Sequence, residues 1–144
     1  MKVLDDRRAA VVGAEVVVAA TTSQSPVFDG RVLEPGTHIN GVGSYTPEMQ
    51  EIDASTVERA KVFVDSREAA LKEAGDLIIP LRQGRIRADQ VDTELGEVIN
   101  GSKAGRTSPQ DITFFKSVGV AVQDVAVARR VLEAAGPRAP MVDL

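Results

Sequence analysis

Thr37-His-Ile-Asn-Gly-Val-Gly-Ser-Tyr-Thr-Pro47 decides how the rest of the chain is read. Ile39 and Val42 mark a short strand, and Gly41 and Gly43 allow a sharp turn or a close backbone approach. Thr46 and Pro47 then read as the cap and first residue of a helix. A strand, a glycine turn and a helix start in succession make a frame suited to holding an anion or a nucleotide.

Outward from that stretch, apolar runs alternate with helical patterns. Strands are expected at Glu15–Ala20, Thr37–Val42, Lys61–Asp65 and Ile112–Lys116, with a further short one at Met1–Leu4. Within Glu15–Ala20, the unbroken apolar run after Glu15 predicts a strand covered on both faces. Helices are expected over Asp5–Val12, Pro47–Ala60, Ser66–Ala74, Asp92–Asn100 and from Val118 to Ala135. Ser55 and Glu58 form a capping-box pattern, and Gly75 reads as a helix terminator. Leu77–Leu81 stops at Pro80 and reads as a buried connection. The alternation predicts an α/β fold, a partial Rossmann-like domain whose mostly parallel sheet carries helices on both faces. Ligands of such sheets lie beyond the carboxyl ends of the strands. Those ends carry Thr21-Thr22-Ser23, Gly41-Val42-Gly43-Ser44, Asp65-Ser66 and Lys116-Ser117.

Composition narrows the chemistry. With 17 basic and 21 acidic residues the net charge of −4 offers no basic face for nucleic acid. The absence of cysteine removes disulfides and thiol catalysis, and the single histidine, His38, cannot build a histidine metal cluster. No apolar run reaches the ~20 residues of a membrane span, and the polar start is no secretory signal, so a cytoplasmic protein without a membrane partner is expected. Gly41-Val42-Gly43 lacks a third glycine and reads as tight packing rather than a pyrophosphate loop. His38, on a strand beside the apolar Ile39, reads as structural. Lys116 ends an apolar strand and must reach either a ligand or a local carboxylate. No nucleophile, base and orienter assemble, so no catalytic residue is assigned, and no metal ligands either.

Five motifs stand in order: Val16-Val-Val-Ala-Ala-Thr-Thr-Ser23, Pro35-Gly-Thr-His-Ile-Asn-Gly-Val-Gly43, Val64-Asp-Ser-Arg-Glu-Ala-Ala-Leu-Lys-Glu-Ala-Gly-Asp76, Glu94-Leu-Gly-Glu-Val98 and Phe115-Lys-Ser-Val-Gly119. Together they resemble the C-terminal half of the ornithine cyclodeaminase/mu-crystallin family over about residues 10 to 135. The resemblance implies homodimers with NAD(H) or NADP(H) as cofactor and small amino or imino acids as substrates. It implies that residues 1–136 are the second half of a Rossmann domain plus a returning helix, with 137–144 a loose tail. Thr21, Thr22 and Ser23 would line the cofactor, Val42 and Gly43 would pass beside the nicotinamide, and Lys116 with Ser117 would close over it. Tyr45 and Glu73 would approach the substrate.

Relative to the family, the chain starts after the glycine-rich phosphate loop, so a truncated or split member is expected, pairing with a missing N-terminal half. Tyr45 stands where similar ornithine cyclodeaminases carry an aspartate used in deamination. That substitution favours a reductase of cyclic imino acids over an ornithine cyclodeaminase, with alanine dehydrogenase also within the family. The alternative is a non-catalytic crystallin-type binding protein or an inactive remnant.

Overall fold

The computed structural model describes residues 3–136. Strands β1 (Val16–Ala19), β2 (His38–Gly41), β3 (Lys61–Val64) and β4 (Thr113–Lys116) form one sheet in the order β1-β2-β4-β3. Every pairing is parallel, and the register aligns Ala19, Gly41, Lys116 and Val64 at the carboxyl end. All four expected strands from Glu15 onward are present, each within a residue or two of its predicted bounds.

Alternation along the strands sorts residues onto two faces. Ala19, Ile39, Val62, Val64 and Phe114 join the main core. Helices α2 (Ala54–Arg59), α3 (Arg67–Glu73) and α4 (Gly75–Arg82) cover that face through Val57, Ala70 and Leu77. On the opposite face, Leu95 and Val98 of α5 (Leu95–Ile99) approach Phe63 and Phe115. Helix α1 (Arg7–Val11) sends Val11 into the core, and α6 (Ala121–Ala135) follows β4.

Several expectations change. β1 is an edge strand among the described residues and is not covered on both faces: Val16 and Val18, which share one face, are 59% and 65% exposed. The stretch from Pro47 is helical only from Ala54, where Asp53 is the cap and accepts from the Thr56 amide at 2.9 Å. Upstream, the Glu51 and Ile52 amides are taken by the Asp76 side chain at 2.7 and 2.9 Å, so they are not available to a helix. Glu58 completes no capping box and instead pairs with Arg85 at 2.7 Å. Gly75 follows the end of α3 as expected but also opens α4, and its lack of a side chain is needed, since a Cβ there would lie 2.0 Å from the Met49 carbonyl oxygen. Leu77–Leu81 is helical despite Pro80, since burial of Leu77 and Ile78 outweighs one lost backbone bond. Val3 and Leu4 form no strand, while Met1, Lys2 and residues 137–144 lie outside the described residues.

Candidate functional site at the carboxyl ends of the strands

The parallel register brings the loops after β1, β2 and β4 to one end of the sheet. The ladder runs on past the strands: Val42 N–H donates to Ala19 at 2.9 Å, and Ser117 N–H donates to Gly41 at 3.1 Å. Thr21 and Thr22 are exposed there, Val42 is 48% exposed, and Ser117 is half-buried. Thr21 Oγ1 accepts from the Ser23 amide at 3.0 Å, which folds the hydroxyl loop back on itself. An open groove of about 580 Å³ along β1 runs up to Thr21, Thr22 and Ser23. Tyr45 is 52% exposed at the same end. Glu73 closes α3, exposed, two residues before the Gly75 amide that donates to Thr46 at 3.1 Å.

Beneath these loops lies a buried ionic cluster. Glu51, Asp76 and Lys116 are each 0% exposed. The Glu51 carboxylate accepts from the Thr21 amide through one oxygen and from the Gly43 amide through the other, the latter at 2.6 Å. Gly43 is required here, since a Cβ would lie 1.9 Å from the Thr21 carbonyl oxygen and 2.5 Å from the Glu51 carboxyl carbon. Lys116 Nζ donates to the Gly41 carbonyl at 3.1 Å and stands 3.6 Å from Asp76 Oδ2. Asp76 Oδ1 holds the Glu51 and Ile52 amides, while Oδ2 has no hydrogen-bond partner. Burial pushes the Asp76 carboxyl up to about 6, against the opposing pull of its two amide donors and Lys116. Burial lowers Lys116, with Asp76 and Glu51 pulling it the other way.

At β3, Asp65 is occupied within the fold. Its Oδ2 accepts from Ser117 Oγ at 2.7 Å, Val118 N at 3.0 Å and Gly119 N at 2.9 Å, tying down the loop after β4. His38 is likewise engaged, with Nδ1 2.8 Å from Thr113 Oγ1 and Nε2 3.3 Å from Asn40 Oδ1. That agrees with a structural histidine. A separate cavity of about 490 Å³ lies beside it, between Phe63, Phe115, Leu95 and Arg106.

The fold therefore gathers Thr21, Thr22, Ser23, Val42, Gly43, Tyr45 and Ser117 at one end of the sheet. It places Lys116 below them rather than at the surface. Sequence reasoning missed Glu51 and Asp76. The available signal was Lys116 itself, which ends an apolar strand and needs a carboxylate. Among the described residues, no group of three or more potential ligands could hold a metal, and no helix is long and apolar enough to cross a membrane.

The model of the ornithine cyclodeaminase/mu-crystallin family matches residues 1–137. A Delta(1)-pyrroline-2-carboxylate reductase of Bacillus cereus is 45% identical over 134 residues, which is 92% of this chain and 41% of that protein. The solved structure of Thermococcus litoralis Delta(1)-pyrroline-2-carboxylate reductase in complex with NADH and L-proline has a TM-score of 0.87 at 39% identity, covering 92% of this chain and 41% of that one. An archaeal alanine dehydrogenase dimer with bound NAD has a TM-score of 0.82 at 40% identity, covering 91% of this chain and 40% of that one. The chain thus spans about 40% of the length of these relatives.

Proposed function

Because the chain belongs to the ornithine cyclodeaminase/mu-crystallin family, we propose that residues 1–136 provide the nicotinamide-facing half of an NAD(H)- or NADP(H)-dependent reductase of cyclic imino acids. The observation that carries this reading is the convergence of the loops after β1, β2 and β4 at one end of a parallel sheet, where such folds take their ligands.

The residues there suit the cofactor in kind. Exposed hydroxyls of Thr21 and Thr22 can meet ribose or amide groups, and Val42 offers apolar surface to a nicotinamide face. Ser117 and the glycine approach at Gly43 bound the same strip, while Lys116 and Asp65 hold its loops from within. When bound, the nicotinamide supplies the hydride for reduction of the imine carbon. The chain's own work is to set distance and orientation and to limit water. Tyr45, exposed at the same end, can donate a hydrogen bond to the substrate, and Glu73, exposed at the end of α3, is the second residue assigned to it.

Cyclising ornithine asks for a base near the substrate Cα as ammonia leaves, and a phenol is a poor base at neutral pH. Reduction of a preformed imine asks less, since the imine nitrogen can arrive protonated. Δ1-Pyrroline-2-carboxylate is accordingly the substrate type assigned, and an assembly of two copies follows the dimeric relative. The test joins the chain to an N-terminal part of the length its relatives carry. NADH or NADPH consumption on Δ1-pyrroline-2-carboxylate is expected to outrun proline formation from ornithine. Faster turnover of ornithine overturns the assignment, as does cofactor binding without any turnover.

A further inference from the structure

Beyond the last ladder bond, from the Val42 N–H to Ala19, the loops after β1 and β2 share no backbone hydrogen bond among the described residues. The further tie runs through one buried side chain, in a segment whose sequence reads as helix but which is not helical. We propose that Glu51 is a positioning residue, its carboxylate latching the loop after β1 to the loop after β2 so that Thr21 and Gly43 stand at a fixed separation. The proposal rests on the cofactor reading above, and it adds the group that sets the strip's shape.

Its geometry is specific. One carboxylate oxygen serves the Thr21 amide and the other serves the Gly43 amide. Two acceptor oxygens on one planar group fix two backbone segments that are 22 residues apart in sequence. The carboxylate is itself held. Its own backbone amide donates to Asp76 Oδ1 at 2.7 Å, and Asp76 faces Lys116, which in turn grips the Gly41 carbonyl two residues before Gly43. Met49, just upstream, has its carbonyl fixed by Ser44 Oγ at 2.8 Å. Burial strengthens each of these bonds, because no water competes for the carboxylate. A glutamine in the same place has the same shape but only one acceptor oxygen, so one of the two amides must face an NH2 group.

The experiment is amide exchange by NMR on the full chain and on Glu51→Gln, with Ile39 and Phe114 as core references. In the wild type, both Thr21 and Gly43 amides should be protected, although Thr21 is exposed, and both nitrogens should show coupling through the hydrogen bond to the Glu51 carboxyl carbon. In Glu51→Gln, one of the two amides should exchange roughly ten- to a hundredfold faster, the loss of one bond to a charged acceptor, with the core references unchanged. A general loss of stability would accelerate the core references as well. If the variant does not fold, the wild-type measurement decides. Thr21 and Gly43 amides exchanging at unstructured rates, without coupling to Glu51, overturn the proposal, as does unchanged exchange of both amides in a folded variant.

Millimolar NADH, followed by the shift of the Ser117 amide, separates the two readings. Weaker NADH binding in the folded variant supports the positioning role, and undiminished binding overturns it. Loop protection as expected, with no NADH response in either protein, refutes the cofactor reading and with it the positioning role, while the hydrogen bonds themselves remain.

Discussion

Lys116→Met keeps most of the side chain's length and removes its cation. In the wild type the ammonium is fully buried, donates to the Gly41 carbonyl at 3.1 Å and faces Asp76 Oδ2 at 3.6 Å. Its loss leaves a buried carboxylate with no counter-charge, a change that costs about 3–5 kcal/mol near neutral pH. The cost should depend on pH in a defined direction. The folded Asp76 carboxyl titrates at about 6, above its unfolded value. The stability linked to it is therefore fully present below about 4 and is lost as pH rises through the folded value. Without Lys116 that folded value rises further, so the variant goes on losing stability above pH 6, by up to about 1.4 kcal/mol per unit. The deficit of Lys116→Met should thus shrink by about 2 kcal/mol between pH 7.5 and pH 5.5. Urea unfolding followed by circular dichroism at the two pH values measures it. Asp76→Asn combined with Lys116→Met should recover part of the loss at pH 7.5, because the amide oxygen can still accept from Glu51 and Ile52. An equal deficit at both pH values, or a single variant as stable as the wild type at pH 7.5, refutes this account of the cluster.

Gly43→Ala should destabilise the fold by about 3 kcal/mol, since its Cβ would lie 1.9 Å from the Thr21 carbonyl oxygen. Thermal unfolding reads it, and a neutral effect would mean the two loops are not packed together. Helix α6 buries none of its residues, and Val122, Val125 and Leu132 are 69%, 68% and 64% exposed. The chain should therefore self-associate or bind a hydrophobic dye, and Val125→Asp should weaken both; sedimentation as a monomer at high concentration without dye binding would contradict this. The 144-residue polypeptide, about 40% of its relatives' length, should bind NADH only weakly by calorimetry, and a dissociation constant near ~1 µM would contradict that.

The sheet was legible because its signal is local. Val16–Ala19, Lys61–Val64 and Thr113–Lys116 are mainly apolar stretches bounded by turns, His38–Gly41 is marked by Ile39 and its flanking turns, and helical patterns between them imply parallel crossovers. The strand ends follow from that arrangement, and Thr21, Gly43 and Ser117 with them. The segment before Ala54 was not legible. Its amides are satisfied by Asp76, some 25 positions away, and helical periodicity carries no trace of a bond across that distance. Pro80 misled for a related reason, since tertiary burial of Leu77 and Ile78 overrides a local breaker. The bareness of Val16 and Val18 was equally hidden, because an apolar strand reads the same whether or not a neighbour covers it.

The central claim, that the loops after β1, β2 and β4 receive the nicotinamide cofactor, is tested most directly by mapping NADH-induced amide shifts over the whole chain. The account predicts that they cluster at Thr21–Ser23, Val42–Gly43 and Ser117–Gly119. Shifts confined to the cavity of Phe63, Phe115 and Arg106 on the other face would contradict it.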